Sequence, residues 1–211
     1  IQLKGKVADE MVLRRYTAMK CSLGENPKCA KNGFTSRMGT AYHLRKCLEE
    51  AMDYRHSKEE AMESGAYFKR DLGMENMLRV INREMPIHVH VHRSDDICTA
   101  IRIAKEYDLD MVLVHCTDGI AVADYLAENP YPVIVGPGMT PRSKQETWNK
   151  TYATAGVLSK AGLKVCLTAD HDVTPLYFLT VYAGLAVRYG MDEVEALKAI
   201  TLNPAQVMGI D

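Results

Sequence analysis

The sequence predicts an α/β fold, a parallel sheet or barrel with helices packed outside it. From Pro86 onward, short β-like runs alternate with amphipathic stretches, the pattern of consecutive parallel βα units. The chain has 211 residues, 47% hydrophobic and 25% charged, so it can bury the core such a fold needs. The third observation is the run Pro86-Ile87-His88-Val89-His90-Val91-His92. Strict alternation of histidine with β-branched residues marks a strand with one polar and one apolar face.

Before residue 86 the pattern is weaker. Residues 1–6 and 15–22 read as strands, 24–33 as a turn-rich loop, and 40–64, rich in Ala, Glu, Leu and Lys, as a helix. The histidine strand, 86–92, leads to a helix starting at Ser94-Asp95-Asp96, with Ile97, Ala100, Ile101 and Ala104 at helical spacing and Ser94 or Asp95 as its cap. A second strand, 111–116, precedes a helix over 119–127. The third, 131–135, is followed by the rigid loop 136–141 and a helix over 148–161. The fourth, 163–168, precedes a helix over 174–189. A further helix, 192–201, begins with an acidic cap, and Asn203-Pro204 reads as a cap-then-proline start for a last turn. The count reaches about six βα units, short of the eight a closed barrel requires.

Bulk properties exclude several functions. Net charge is −1 with no long basic block, which argues against a nucleic-acid or anionic-membrane partner. No run reaches transmembrane length and no leader-like start is present. The six cysteines form no CxxC pair, which fits reduced thiols in a cytoplasmic protein. Starting at Ile1 and moving straight into a strand-like segment, the chain reads as a piece of something longer.

In parallel βα folds, functional groups gather at the carboxyl ends of strands. His90 and His92 end one strand, His115 the next, and Asp170-His171 the last, whereas His43 and His56 fall in the helical region and read as surface residues. A row of strand histidines is either a metal or catalytic site or a polar face with satisfied partners. Histidines converging from separate strands, with an aspartate added, favour the site. His90, His115 and Asp170 suit one divalent cation with open coordination positions, as in catalytic zinc sites. His88 sits deeper in its strand, and at most two of the three alternating histidines can act together.

Four motifs in order then carry a resemblance: His90-Val91-His92-Arg93-Ser94-Asp95-Asp96-Ile97, Val114-His115-Cys116-Thr117-Asp118-Gly119, Leu167-Thr168-Ala169-Asp170-His171 and Ala199-Ile200-Thr201-Leu202-Asn203-Pro204-Ala205. The chain resembles the amidohydrolase superfamily over nearly its whole length, most of all the imidazolonepropionase-related branch of metal-dependent hydrolases. The resemblance implies a (β/α)8 barrel of TIM type. His90, His115 and Asp170 would be metal ligands, with zinc the expected ion, and His115 and Asp170 catalytic groups. His92, His171, Arg93 and Arg142 would bind a small-molecule substrate. Members carry a His-x-His on the first barrel strand, and none precedes residue 86 here. Many also carry a carbamylated lysine on the fourth strand or a glutamate on the third. Lys20 and Glu25 are the candidates, against the plainer reading of a strand-edge lysine and a loop carboxylate. The family's small β-sandwich, built from both termini, is not accounted for before Asp211. The expectation is therefore a partial barrel over 1–211, lacking the first strands and the sandwich.

The implied activity is hydrolysis of a C–N bond in a small amide or cyclic amide by metal-activated water. The alternative from a different class is a catalytically inactive fragment or scaffold without a complete metal site. Missing strands would leave exposed sheet edges, which favour a homo-oligomer.

Overall fold

Five parallel strands in chain order form the sheet: β1 (Met19–Ser22), β2 (Ile87–Val91), β3 (Met111–His115), β4 (Val133–Val135) and β5 (Val165–Leu167), each hydrogen-bonded to the next. This computed structural model describes residues 2–29, 31 and 33–211; Ile1, Ala30 and Asn32 lie outside the described residues. Parallel pairing requires a crossover after each strand, and helices supply it. The architecture is α/β, with the in-order parallel progression of a TIM-type barrel. Five strands are seen among the described residues, where about six units were expected.

Pairing register divides the sheet into two faces. Cys21, Val89, Leu113, Val133 and Val165 align across all five strands. All but Cys21 in this row are fully buried, in one core with Ile97, Ile101 and Leu158 from the helices. The opposite row contains Ser22, His90, Val114, Ile134 and Cys166. Alternation along β2 thus packs Val89 and Val91 under the helices and turns the histidines to the other side.

The helix α1 (Ala8–Met11) is a single turn, and residues 2–6 are not a strand; the 15–22 expectation holds only from Met19. Ser36 caps α2 (Arg37–Ser64), accepting from the Gly39 N–H at 3.0 Å, and Gly65 ends it in the left-handed region (φ 69°). The helix α3 (Leu72–Ile81), which the sequence pattern left unassigned, is capped by Asp71 and pinned to α2 where Lys58 and Tyr54 both reach Glu75. In α4 (Ser94–Glu106), neither Ser94 nor Asp95 is the cap. The Ser94 N–H instead donates to Asp118 of the next βα loop, so a tertiary contact replaces the local one. The stretch after β3 opens with a 3-10 turn, Gly119–Val122, before α5 (Ala123–Glu128).

The helix α6 (Ala153–Lys160) starts later than the expected 148, because a 3-10 turn at Gln145–Thr147 and a bent segment occupy the preceding residues. Likewise a 3-10 turn, Leu176–Phe178, precedes α7 (Leu179–Arg188). Asp192 caps α8 (Glu193–Ile200) as expected. In α9 (Leu202–Met208), Asn203 is not a cap: its buried amide donates to the Val165 carbonyl at 2.7 Å and ties the last helix to β5. No helix among the described residues is long and apolar enough to cross a membrane.

Leu113 lies at the centre of the apolar row and is fully buried. Leu113→Ala is expected to cost about 2–5 kcal/mol in urea unfolding. Leu197→Ala, at a position 60% exposed, should change stability by less than about 0.5 kcal/mol.

Candidate metal centre

Three imidazoles meet at the carboxyl ends of β2 and β3. His90 lies on β2, His92 just after it, and His115 ends β3. Ring centroids are 4.7 Å apart for His90–His92, 4.4 Å for His90–His115 and 4.8 Å for His92–His115, the last pair nearly parallel. One nitrogen from each ring lies within 4.8 Å of the others, and all three residues are buried. His88 shares the histidine face of β2 but stands outside this cluster. Its buried Nε2 has no hydrogen-bond partner among the described residues.

His115 reaches the cluster by leaving the pleat. It is in register with Val91, whose side chain packs under the helices, so a regular strand would point His115 the same way. Instead His115 and Cys116 both take left-handed backbone, φ 79° and 46°. Such conformations cost about 1–3 kcal/mol each and persist only where surrounding structure enforces them. Here the Cys116 N–H donates to the Val91 carbonyl, and the Asp118 N–H to that of His92.

Hydrogen bonds fix how the rings present themselves. His115 Nδ1 lies 2.5 Å from the Gly136 carbonyl, which can only accept, so Nδ1 carries the proton and Nε2 offers its lone pair. The Lys144 ammonium donates to Asn26 Oδ1, which turns the Asn26 amide N–H toward His90 Nε2 at 3.0 Å. That nitrogen is therefore an acceptor as well. His92 Nδ1 meets the Thr117 hydroxyl at 2.7 Å. A bond such as that of His115 Nδ1 to Gly136, made by the ring nitrogen that does not face the ion, orients the imidazoles of metal sites; at His90 the Asn26 amide occupies the Nε2 lone pair instead.

Burial also holds the rings neutral, the state that binds a cation. It pushes His90 down to about 2, reinforced by His115 and His92. It pushes His92 down to about 3, with His115, Lys144 and Lys150 adding to the effect, and lowers His115 too. Three converging neutral imidazoles, one of them with a lone pair fixed toward the cluster, fit a divalent ion.

The other sequence candidates are distributed as follows. Asp170 is exposed, takes left-handed backbone (φ 50°) and lines the same cavity as the triad, its charge felt by His115 and Lys20. Lys20 is exposed on the histidine face of the sheet, in register with His88, and partial desolvation lowers its affinity for a proton. Glu25 is held by Lys28 and Arg37, both at 2.7 Å, and these partners keep its carboxyl below the usual range. His171 is exposed and outside the cavity lining, and Arg93 is a surface partner of Asp95 at 2.9 Å. Arg142 lines a smaller adjoining cavity. His43 packs on Phe34, and His56 is an exposed partner of Glu60. Thus the structure brings His90, His92 and His115 together, with Asp170 and Lys20 nearby.

Sequence reasoning missed Asn26, Thr117 and Lys144. They lie in loops without periodicity, and only the Gly-Glu-Asn-Pro turn signal marked the neighbourhood of Asn26. Also missed was the clamp that holds these loops. Arg37 bridges Asp96, Glu25 and the fully buried Glu146, and Glu146 accepts from the Glu25 N–H at 2.8 Å. Burial raises Asp96 to about 6 even beside Arg37. The clamp joins the loops after β1 and β4 to the first turn of α4.

The cavity over the triad measures about 440 Å³, within the range of small-molecule sites. Val135, Pro137, Leu167 and Tyr182 give it an apolar side.

A pH dependence follows from the buried rings. The folded values of His90 and His92 lie below 6.5, so the unfolded chain takes up protons first as pH falls. Stability from these groups is complete above about pH 6.5 and declines below it. Thermal melts between about pH 7 and pH 5 should show a steeper loss for the native chain than for a His90→Gln/His92→Gln variant. Equal slopes would contradict the assignment of buried, neutral rings.

No family model matches the chain. It is 38% identical to a solved amidohydrolase from Thermotoga maritima, which it matches over 98% of its own length with a TM-score of 0.93. The match spans 55% of that structure. A curated protein, amidohydrolase tasK of Hapsidospora irregularis, is 21% identical over 214 residues, covering 93% of this chain and 22% of that protein. The chain therefore spans about half the length of the solved relative and less of the curated one. The parallel βα progression, the strand-end histidines and these likenesses agree: the chain belongs to the amidohydrolase superfamily.

Proposed function

We propose that this chain carries the metal-binding part of a hydrolase that cleaves a C–N bond in a small amide or cyclic amide, related to the imidazolonepropionase branch. The observation that carries the reading is the convergence of His90, His92 and His115 beneath one cavity. His115 would hold the ion through Nε2, its lone pair set by the Nδ1 bond to Gly136, and His90 would join it by exchanging the Asn26 amide contact at Nε2 for the ion. His92 is best placed as third ligand, with Asp170 across the cavity as a further oxygen donor. Zinc suits this nitrogen-rich set. When bound, such an ion polarises a carbonyl and lowers the pKa of water from 15.7 to about 7.

The chain's own groups do the rest. Asp170, at the cavity rim, takes the proton from the attacking water and returns it to the leaving nitrogen as the C–N bond breaks. Lys144 fixes the orientation of the Asn26 amide beside His90. Apolar walls at Val135 and Leu167 exclude bulk water from the bond being cut. Six unbonded cysteines suit a cytoplasmic setting.

Zinc titration followed by elemental analysis is expected to show about one ion per chain. His90→Ala and His115→Ala should each weaken zinc binding by about tenfold or more. Asp170→Asn should keep the ion while lowering amide hydrolysis about 10²- to 10⁴-fold. A chain that binds no zinc, or a His115→Ala variant that binds it normally, would overturn the proposal.

A further inference from the structure

The loop between β4 and α6 carries three cations within nine residues, Arg142, Lys144 and Lys150. None forms an ion pair with a carboxylate among the described residues. Each instead spends donors on a neutral acceptor. Arg142 donates to the Lys150 carbonyl at 2.9 Å, Lys144 to the Asn26 side-chain oxygen and Lys150 to the Thr140 hydroxyl. Elsewhere Arg37 has three carboxylate partners, Lys58 has Glu75 and Arg45 has Glu106; Arg14 and Arg55 also bond neutral acceptors, the Met208 carbonyl and Asn82, but line neither of the cavities beside the histidines.

Position gives these groups a shared target. Lys144 and Lys150 line the cavity above the histidines, where Asp170 is the one lining carboxylate among the described residues. Beside it lies a second cavity of about 420 Å³, lined by Arg142, Lys150, Thr140, Thr151 and Tyr152. The two cavities share Lys150, Thr140, Thr151 and Tyr152 in their linings and so adjoin across these side chains. One lobe is apolar and meets the histidines; the other holds paired cations and hydroxyls without an acid.

We infer that this second lobe is an anion-binding subsite, and that the molecule entering the cavity is a small compound whose anionic end lies between Arg142 and Lys150 while its reacting bond sits over the histidines. An anion there replaces neutral acceptors with charge-assisted hydrogen bonds, which are about twice as strong. It also relieves the mutual repulsion of Arg142 and Lys150, which together with burial lowers the lysine's affinity for its proton. Thr140 and Thr151 offer hydroxyl donors for remaining oxygens. Carboxylate and phosphate share this chemistry. As an account of substrate choice, the inference rests on the hydrolase reading.

The test is equilibrium binding to the full chain after chelator treatment, at low ionic strength, with glutarate, inorganic phosphate and the neutral isostere glutaramide as probes. One or both anions are expected to bind about tenfold more tightly than glutaramide. A preference for glutarate identifies a carboxylate end, and a preference for phosphate a phosphate ester. Lys150→Met and Arg142→Met should each remove most of the preference, whereas Lys69→Met, at an exposed distant site, should leave it intact. The exposed Arg142 variant reads the subsite even if Lys150→Met does not fold. Equal binding of anions and glutaramide, or an equal effect of Lys69→Met, would overturn the inference. A chain with the anion preference but no zinc affinity contradicts the hydrolase reading alone. Zinc binding without the preference contradicts the subsite alone.

Discussion

The left-handed backbone at His115 and Cys116 is the constraint on which the centre depends. Parallel pairing alone puts His90 of β2, and His92 just beyond it, on the cavity face and would send His115 toward the helices with Val91. Reversal of the pleat at one residue brings the third ring across. The strain is offset locally, by backbone bonds to Val91 and His92 and by the His115 bond to Gly136. Gly136 is itself constrained, with φ 127° and no room for a Cβ against the Thr168 carbonyl. Two unusual backbone positions on adjacent strands thus hold one imidazole, and that imidazole closes the triad.

Around this fixed point the loops are tied by charge. Arg37 at the start of α2 collects carboxylates from the loops after β1 and β4 and from the first turn of α4. The loop after β1 delivers Asn26 to His90, and the loop after β4 delivers Lys144 to Asn26. A buried acid such as Glu146 is costly when unpaired, so the clamp holds only while its arginine is present. The apolar row through Leu113 supports the strands, and the clamp supports what rests on them.

Much of this was legible in the sequence. Period-two alternation over 86–92 and the short apolar runs after it gave the strands, because each is buried on at least one face and must repeat accordingly. Strand polarity then singled out His90, His115 and Asp170 as groups at one end of the sheet. Other features were hidden because they come from three dimensions. The helix α4 takes its N-terminal acceptor from Asp118, so local capping residues misled. Asn203 looks like a cap and serves as a brace to β5. The entry of His92 into the triad depends on ring orientation, and the reversed pleat at His115 is written in no residue type favouring left-handed backbone.

The central claim is that three imidazoles form one cation-binding unit. Long-range ¹H–¹⁵N spectra of the histidine rings, recorded during zinc addition, test it most directly. The account predicts that the ring nitrogens of His90, His92 and His115 shift together and saturate near about one ion per chain, while those of His43 and His56 stay in place. Unchanged signals from the three, or shifts confined to His43 and His56, would contradict it.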